Sequence, residues 1–399
     1  LDIARDRETH DETWLASGRD KSRNLWAACI VHALHDGYTD SLYAFLPIWQ
    51  TQFQLSYAGL AVIRSLYYAT MGGLQIPANR LLRHLKPCAA LAIATLVAAA
   101  GFLIMALPLG FTGLCVGLVI AGFGSSIQHP RGSMLVAETY GEASRRPLGI
   151  YNFSGDLGKA VLPAFAALLL PLLAWRPILA LMALVGLGTT GALMVLAPTV
   201  ASRSRLREER SHAGHARRRG FVLLTVIGGL DTATRMGYLL FLPFLVQERD
   251  GGSASVGVAL ALLFVGGALG KVTSTWLSER LGVVGSVVAT EAATALLIGL
   301  TLFTPLGATL VVLFPLGVFL NGTSSILYGT VPELATGDAS HAFAIFYTSV
   351  IGSGGIAPIL YGAIADHSSQ FTGVVASALT AAAVIPMVLA LRPALDRKA

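Results

Sequence analysis

The chain has 399 residues; 54% are hydrophobic before its 43 glycines are counted, 13% are charged, and the net charge is +6. A soluble globular domain carries about 25% charged residues, and a disordered chain needs low hydrophobicity with high charge, so both classes are excluded. What remains is an all-α integral membrane protein whose Lys and Arg fall in the breaks between apolar blocks, a placement that marks cytoplasmic loops and implies no nucleic acid.

A bilayer crossing needs about 20 residues. Residues 1–24 are polar and are expected to form a cytoplasmic tail, followed by spans at 25–49, 57–80, 87–107, 111–138, 147–172 and 175–197. The stretch 198–219 carries Arg203, Arg205, Arg207, Arg210, Arg217, Arg218 and Arg219 against only Glu208 and Glu209, and reads as a basic cytoplasmic linker. Spans at 220–247, 255–278, 283–303, 308–333, 341–366 and 370–391 complete a set of twelve, with a tail at 392–399. The first span is interrupted by His32, His35, Asp36 and Asp40, so it is no signal-peptide core. Cys29, Cys88 and Cys115 have no metal spacing and read as small buried hydrophobes.

Arg176 and Arg249 are the only arginines or lysines in the odd-numbered connections, whereas Arg80, Arg83, Lys86, Arg145, Arg146, Arg280, the linker and both tails carry the rest. Both termini are therefore expected in the cytoplasm.

The two halves repeat. Phe45-Leu46-Pro47 ends the first span and Phe241-Leu242-Pro243 the seventh, with Asp36 and Asp231 upstream at 11 and 12 residues from the proline. Asn79-Arg80 matches Glu279-Arg280, and Gly124-Ser125-Ser126-Ile127 matches Thr323-Ser324-Ser325-Ile326. Ile150-Tyr151 precedes Pro163 by the same interval as Ile345-Phe346 precedes Pro358. These registers predict two pseudo-symmetric six-helix bundles, 25–197 and 220–391, with a substrate site at the midplane between them.

Over residues 25–391 the chain resembles the major facilitator superfamily. Pro77-Ala78-Asn79-Arg80-Leu81-Leu82-Arg83-His84-Leu85-Lys86 is similar to a degraded Gly-x-x-x-Asp-Arg-x-Gly-Arg-Arg signature of that family. Gly122-Phe123-Gly124-Ser125-Ser126-Ile127-Gln128-His129-Pro130 resembles the Gly-Ser-Ser-x-x-His-Pro string of its fosmidomycin-resistance-like branch, and His35-Asp36 with Gly155, Gly158 and Pro163 fits that branch too. Asp156 and Lys159 depart from it, standing where uncharged residues are expected, and the Gly-Pro-rich fifth-helix signature of proton-coupled drug antiporters is absent. The resemblance implies a cavity lined by spans 1, 2, 4, 5, 7, 8, 10 and 11, a monomer, and the bacterial inner membrane.

An ionised side chain at the bilayer centre costs about 2.5–3.5 kcal/mol on insertion scales, so each must face protein or a wet cavity. Asp36, Asp156, Lys159, Asp231 and Arg235 fall near the midplane; Asp40 and Arg64 lie toward the outside, and His129, Arg131 and Lys271 toward the cytoplasm. Asp156 with Lys159 and Asp231 with Arg235 can each share a helix face as a structural ion pair. Alternatively Arg64, Lys159 and Arg235 bind an anionic group while Asp36, Asp156 or Asp231 carries a proton. No basic residue three or four positions away is expected to satisfy Asp36. Tyr38, Tyr151 and Tyr347, among other span tyrosines, are candidate cavity walls. Pro130 is expected to bend the fourth span and turn His129 or Arg131 inward, where Arg131 could pair with Glu138 or the loop. Asp40, His129, Arg131, Lys271, Arg80 and Arg280 are candidate gating residues. Glu291 is expected on a helix that packs outside the cavity.

No phosphate loop, His-Glu-x-x-His or Cys-x-x-Cys pattern occurs, so neither an enzyme nor a cofactor or metal centre is expected. The reading that follows is a secondary active transporter exporting a small anionic or zwitterionic solute in exchange for protons or another coupling ion. A cationic substrate, an amine or a divalent metal held by Asp36, Asp40, Asp231, His32, His35 and His129, is the first alternative. A transporter-like sensor whose linker binds a partner or anionic lipid is the second.

Overall fold

In the computed structural model the described residues are 18–82, 84–196, 215–335 and 339–395. Most of the expected N-terminal tail, Arg83, the linker over 198–214 and the last residues, 396–399, lie outside them.

The described chain is helical: α1 (Gly18–Phe53), α2 (Tyr57–Gly73), α3 (Gln75–Leu81), α4 (Pro87–Ala106), α5 (Gly110–Tyr140), α6 (Arg145–Leu169), α7 (Trp175–Leu196), α8 (His215–Gln247), α9 (Ser253–Thr301), α10 (Leu306–Leu334), α11 (Ala339–His367) and α12 (Gln370–Leu395). Two boundaries differ from the sequence reading. The second span is interrupted at Leu74 and continues as α3. The eighth and ninth run together as α9, bent at Gly282, whose φ of 68° a side chain would resist. α1 and α8 also begin several residues early, because helical hydrogen bonding continues past the apolar block that betrays a span.

Eight stretches of the described residues are long and apolar enough to cross a membrane: Pro87–Ala106, Gly110–Tyr140, Trp175–Val195, Ser253–Ser274, Trp276–Thr301, Leu306–Leu334, Ile345–His367 and Gln370–Leu395. The long helices outside that set are α1, α2, α6 and α8, which carry Asp36, Asp40, Arg64, Asp156, Lys159, Asp231 and Arg235. Large apolar side chains such as Leu172, Val195, Leu296 and Val311 point outward and are exposed, as lipid-facing residues are. Cys29 and Cys88 are buried as expected, and Cys115 is partly so.

α1 packs on α6 and α5, and α4 on α5 and α7; α8 packs on α11 and α12, and α9 on α10. Glycines set several of these distances. A Cβ on Gly158 would strike the Ala33 carbonyl of α1, and one on Gly266 the Phe314 carbonyl of α10. The sequence repeat has a backbone counterpart: Gln54 and Asp250, each seven residues after the proline of its Phe-Leu-Pro, both take positive φ, 52° and 60°.

Helices α1–α7 meet α8–α12 through α2 on α11, α6 on α9 and α1 on α8. At the end remote from the linker these contacts are tight. Asp366 accepts hydrogen bonds from the backbone N–H groups of Tyr57 at 2.7 Å and Ala58 at 2.9 Å, satisfying the first turn of α2 from a different helix. Tyr57 donates to Gln370 at 2.8 Å, and Gln370 to Glu248 at 3.2 Å. Deeper, Ser65 donates to the Gly355 carbonyl at 2.6 Å, and Tyr43 to the Met236 sulfur at 3.3 Å. Toward the linker end a cleft opens between the two sets. Tyr347 is 39% exposed within it, and the side chains of Lys159 and Lys271 are 31% and 38% exposed.

Candidate functional site

At the head of this cleft the acids and bases form two clusters. The first is built on α1. The Asp36 carboxylate lies 3.2 Å from Lys159 Nζ of α6, 3.4 Å from His32 Nε2 and 3.8 Å from His129 Nε2 of α5. The expectation that no basic neighbour serves Asp36 is thus corrected: His32 stands one turn before it, and α6 brings Lys159 across. Lys159 also reaches Asp156 at 3.9 Å, and Asp156 binds Lys271 of α9 through both oxygens at 2.7 Å. Asp156 and Lys159 are therefore not an isolated pair. They are the middle of a chain from α1 to α9, joining the two sets of helices.

Tyr151 braces this cluster: its ring stacks on His32 with centroids 4.0 Å apart, and its carbonyl accepts from His32 Nδ1 at 2.8 Å. Gly155 leaves the space the cluster fills, since a Cβ there would come within 2.5 Å of Asp36 Oδ2 and 2.7 Å of the His32 ring. His35 points elsewhere, to Ser125 at 2.8 Å and Thr95 at 3.3 Å. Tyr38 is corrected as a cavity wall: it is fully buried, stacks on Phe102 of α4, and donates to the Met182 carbonyl at 2.6 Å. Two residues along a helix is a rotation of about 200°, so Tyr38 faces away from Asp36.

One turn beyond Asp36, Asp40 lies 3.6 Å from Arg64 of α2. That guanidinium is 5% exposed and boxed by the rings of Tyr43, Tyr68 and Tyr67 at 4.7, 5.4 and 5.9 Å. Its nitrogens have no hydrogen-bond partner. A small cavity beside it is lined by Tyr43, Arg64, Ser65 and Tyr68 with Met236, Leu240, Gly354 and Pro358 from the other set of helices.

The second cluster belongs to α8–α10. Asp231 accepts from Ser324 Oγ at 2.7 Å. Arg235, one turn on, donates to Asn321 Oδ1 and Ser324 Oγ, both at 3.3 Å, and its buried Nε has no partner. The Asp231–Arg235 pair expected from spacing is thus mediated by Ser324. Tyr328 and Tyr347, with centroids 6.1 Å apart, stand at this side of the cleft.

The candidate gating residues are scattered in this conformation. His129 and Lys271 belong to the first cluster. Arg131 donates to the Asn79 carbonyl at 3.2 Å, tying α5 to α3 rather than crossing the cleft, which is the loop pairing of the two expected, and Glu138 is its charged neighbour. Arg80 is exposed, and Arg280 lies over the Trp276 ring of its own helix at 4.4 Å. Sequence reading did not weigh Asn321 or Ser324. The repeat held the signal for Ser324: its counterpart Ser125 bonds His35 of α1 as Ser324 bonds Asp231 of α8.

The sequence model of the Major Facilitator Superfamily matches residues 28–245, more than half of the chain. The chain belongs to the major facilitator superfamily. It is a transporter, not an enzyme. Within the superfamily it is similar to the fosmidomycin resistance protein of Escherichia coli (strain K12), at 22% identity over 362 residues covering 86% of this chain and 87% of that one. This agrees with the branch that the Gly124-to-Pro130 string resembles. The fold is similar to an inward-facing, unoccupied bacterial homologue of the human lysosomal transporter Spinster, with TM-score 0.78, 14% identity and coverage of 96% and 99%. It is equally similar to a POT family transporter in complex with 5-aminolevulinic acid, with TM-score 0.78, 13% identity and coverage of 94% and 96%.

Proposed function

We propose that this superfamily member is a secondary active transporter of the bacterial inner membrane, a monomer moving a small anionic or zwitterionic solute by alternating access coupled to protons. With α2 and α3 counted as one span and α9 as two, the helices make twelve crossings in two six-helix bundles, 25–197 and 220–391, with both termini cytoplasmic. The sealed end with Asp366 then faces outward and the cleft opens to the cytoplasm. Export in exchange for protons is the direction favoured by the similarity to a drug-resistance protein.

The observation that carries the anion reading is Arg235. A guanidinium in the cleft whose hydrogen bonds go only to a neutral amide and a hydroxyl has donors to spare for a carboxylate or phosphonate. Lys159 and Tyr347 border the same space, Arg64 closes it on the outer side, and Asp36 and Tyr151 wall it opposite. The Asp156–Lys271 bridge is the gate that must part as the bundles rock, while Asp40, His129 and Arg131 hold local geometry within their bundle. Arg80 and Arg280 would meet acids of the other bundle only when the cytoplasmic end closes.

The test is the melting temperature of purified protein against small phosphonates (fosmidomycin among them), carboxylates, amines and divalent metals. A ligand at a hundred times its dissociation constant adds about 2.7 kcal/mol. Stabilisation by anions that is lost in Arg235→Ala and kept in Asp36→Ala is expected; stabilisation by amines or metals alone would overturn the reading. One observation favours a transition-metal cargo: the ligand atoms of His32, Asp36 and His129 lie within 4.8 Å of one another. Such an ion would have to displace Lys159 from Asp36, so this reading ranks second.

A further inference from the structure

At the sealed end the start of α2 is gripped by three helices of the other set. A helix leaves its first backbone N–H groups without acceptors of its own. In α2 the N-cap residue Ser56 serves Gly59, at 3.1 Å. The N–H groups of Tyr57 and Ala58 go instead to the two oxygens of Asp366, in the last turn of α11, at 2.7 and 2.9 Å. The carboxylate also stands at the positive end of the α2 dipole. One turn before it, Gly362 permits the approach: a Cβ there would come within 2.7 Å of the Ala58 nitrogen. The Tyr57 hydroxyl reaches Gln370 of α12 at 2.8 Å, and its ring packs on Phe241 and Phe244 of α8 with centroids 5.5 and 5.1 Å away.

The internal repeat supplies a comparison. The register that matches Ile150-Tyr151 with Ile345-Phe346 makes Ala167 of α6 the counterpart of Gly362, and Pro171 the counterpart of Asp366. The register that matches Asn79-Arg80 with Glu279-Arg280 makes Gly257 of α9 the counterpart of Tyr57. The second seam keeps the close approach, since a Cβ on Gly257 would meet the Ala167 Cβ at 2.7 Å. It does not keep the cap. Pro171 has no acceptor side chain and lies past the end of α6, and Gly252, the N-cap of α9, has no side chain to offer. Steric fit is therefore common to both seams, whereas among the described residues a carboxylate cap belongs to the α2–α11 seam. Its position suits a contact that has to be made and broken. Asp366 is exposed and Tyr57 and Ala58 are half-buried, so water can replace each partner as the helices part and no polar group is left orphaned in the interior.

We infer that Asp366 is the latch of the outer end: by capping α2 across the seam it holds the conformation whose cleft is open, and both of its hydrogen bonds must pass to water before the outer end can open. The inference rests on the alternating-access reading above and names the residue that sets the balance between its two states.

Distances between spin labels test the latch on the full chain without any solute. Nitroxides at Thr112→Cys of α5 and Ala308→Cys of α10 span the sealed end, in a protein whose Cys29, Cys88 and Cys115 are replaced by alanine. With Asp366 in place the short distance is expected to dominate. Asp366→Ala is expected to raise the ratio of long to short distances about fivefold, the effect of losing one helix N-cap. Asp366→Asn, which keeps one acceptor oxygen and no charge, is expected to shift the ratio the same way by less. An unchanged ratio in Asp366→Ala, or in Asp366→Asn should the alanine variant not fold, overturns the proposal. A second pair of labels across the mouth of the cleft, at Ala89→Cys of α4 and Leu281→Cys of α9, separates the latch from the reading it rests on. Shortening there as the sealed end lengthens supports both; lengthening of the sealed end alone upholds the latch and overturns alternating access.

Discussion

On the α1–α6 side of the cleft Lys159 rests on Asp36 and Arg64 on Asp40, and Asp156 holds Lys271 of α9, whereas on the α8–α10 side Arg235 rests on neutral groups. The first arrangement cancels its own charge, so each member depends on its partner. The second leaves a guanidinium with donors to spare. Similar residues buried at similar depth thus serve different ends, and what separates them is which helix delivers the partner.

The largest effect separating the two sides is expected at Arg64. Replacing it by Met strands Asp40, which is 5% exposed, and breaking a buried pair in this way costs about 3–5 kcal/mol. Adding Asp40→Asn to Arg64→Met should recover most of the loss in thermal unfolding; a single variant that melts with the wild type would show that the pair holds nothing. Gly155→Ala comes next. Its Cβ would press on Asp36 and the His32 ring, and overpacking of this kind costs about 1–3 kcal/mol. Wild-type melting of that variant would mean that α6 yields freely at the first cluster. The smallest effect is expected for Arg235→Met, about 1 kcal/mol, because it gives up only two long hydrogen bonds to neutral groups. Were its unfolding temperature to fall as far as that of Arg64→Met, the contrast between the two sides would be lost.

Much of this was legible in the residues. A high apolar content broken at bilayer-length intervals left no soluble alternative, and the charges that interrupt α1, α2, α6 and α8 marked the helices that face the cleft. In α1, α6 and α8 those charges accompany absence from the set of apolar spans, whereas α2 is left out by its length of 17 residues. The repeat was equally plain, and it extends to the paired positive φ at Gln54 and Asp250. Partnership was less legible. Spacing along one helix suggested Asp156 with Lys159 and Asp231 with Arg235, yet the shortest contacts run to Lys271 and Ser324 on other helices.

The membrane setting, the run of helices to within the Leu74 break and the Gly282 bend, and the identity of nearly every buried charge can be read from the residues alone. These follow from local periodicity and from the cost of charge in hydrocarbon, which act residue by residue. Helix-to-helix packing is what brings Lys159 to Asp36, turns Tyr38 to the core, keeps Arg131 on its own side of the cleft and buries Glu291. Each depends on the rotation of one helix about its axis against another. In a chain apolar on most faces, that rotation is set by close contacts such as Gly158 on Ala33 and Gly266 on Phe314 rather than by any pattern along the strip of sequence.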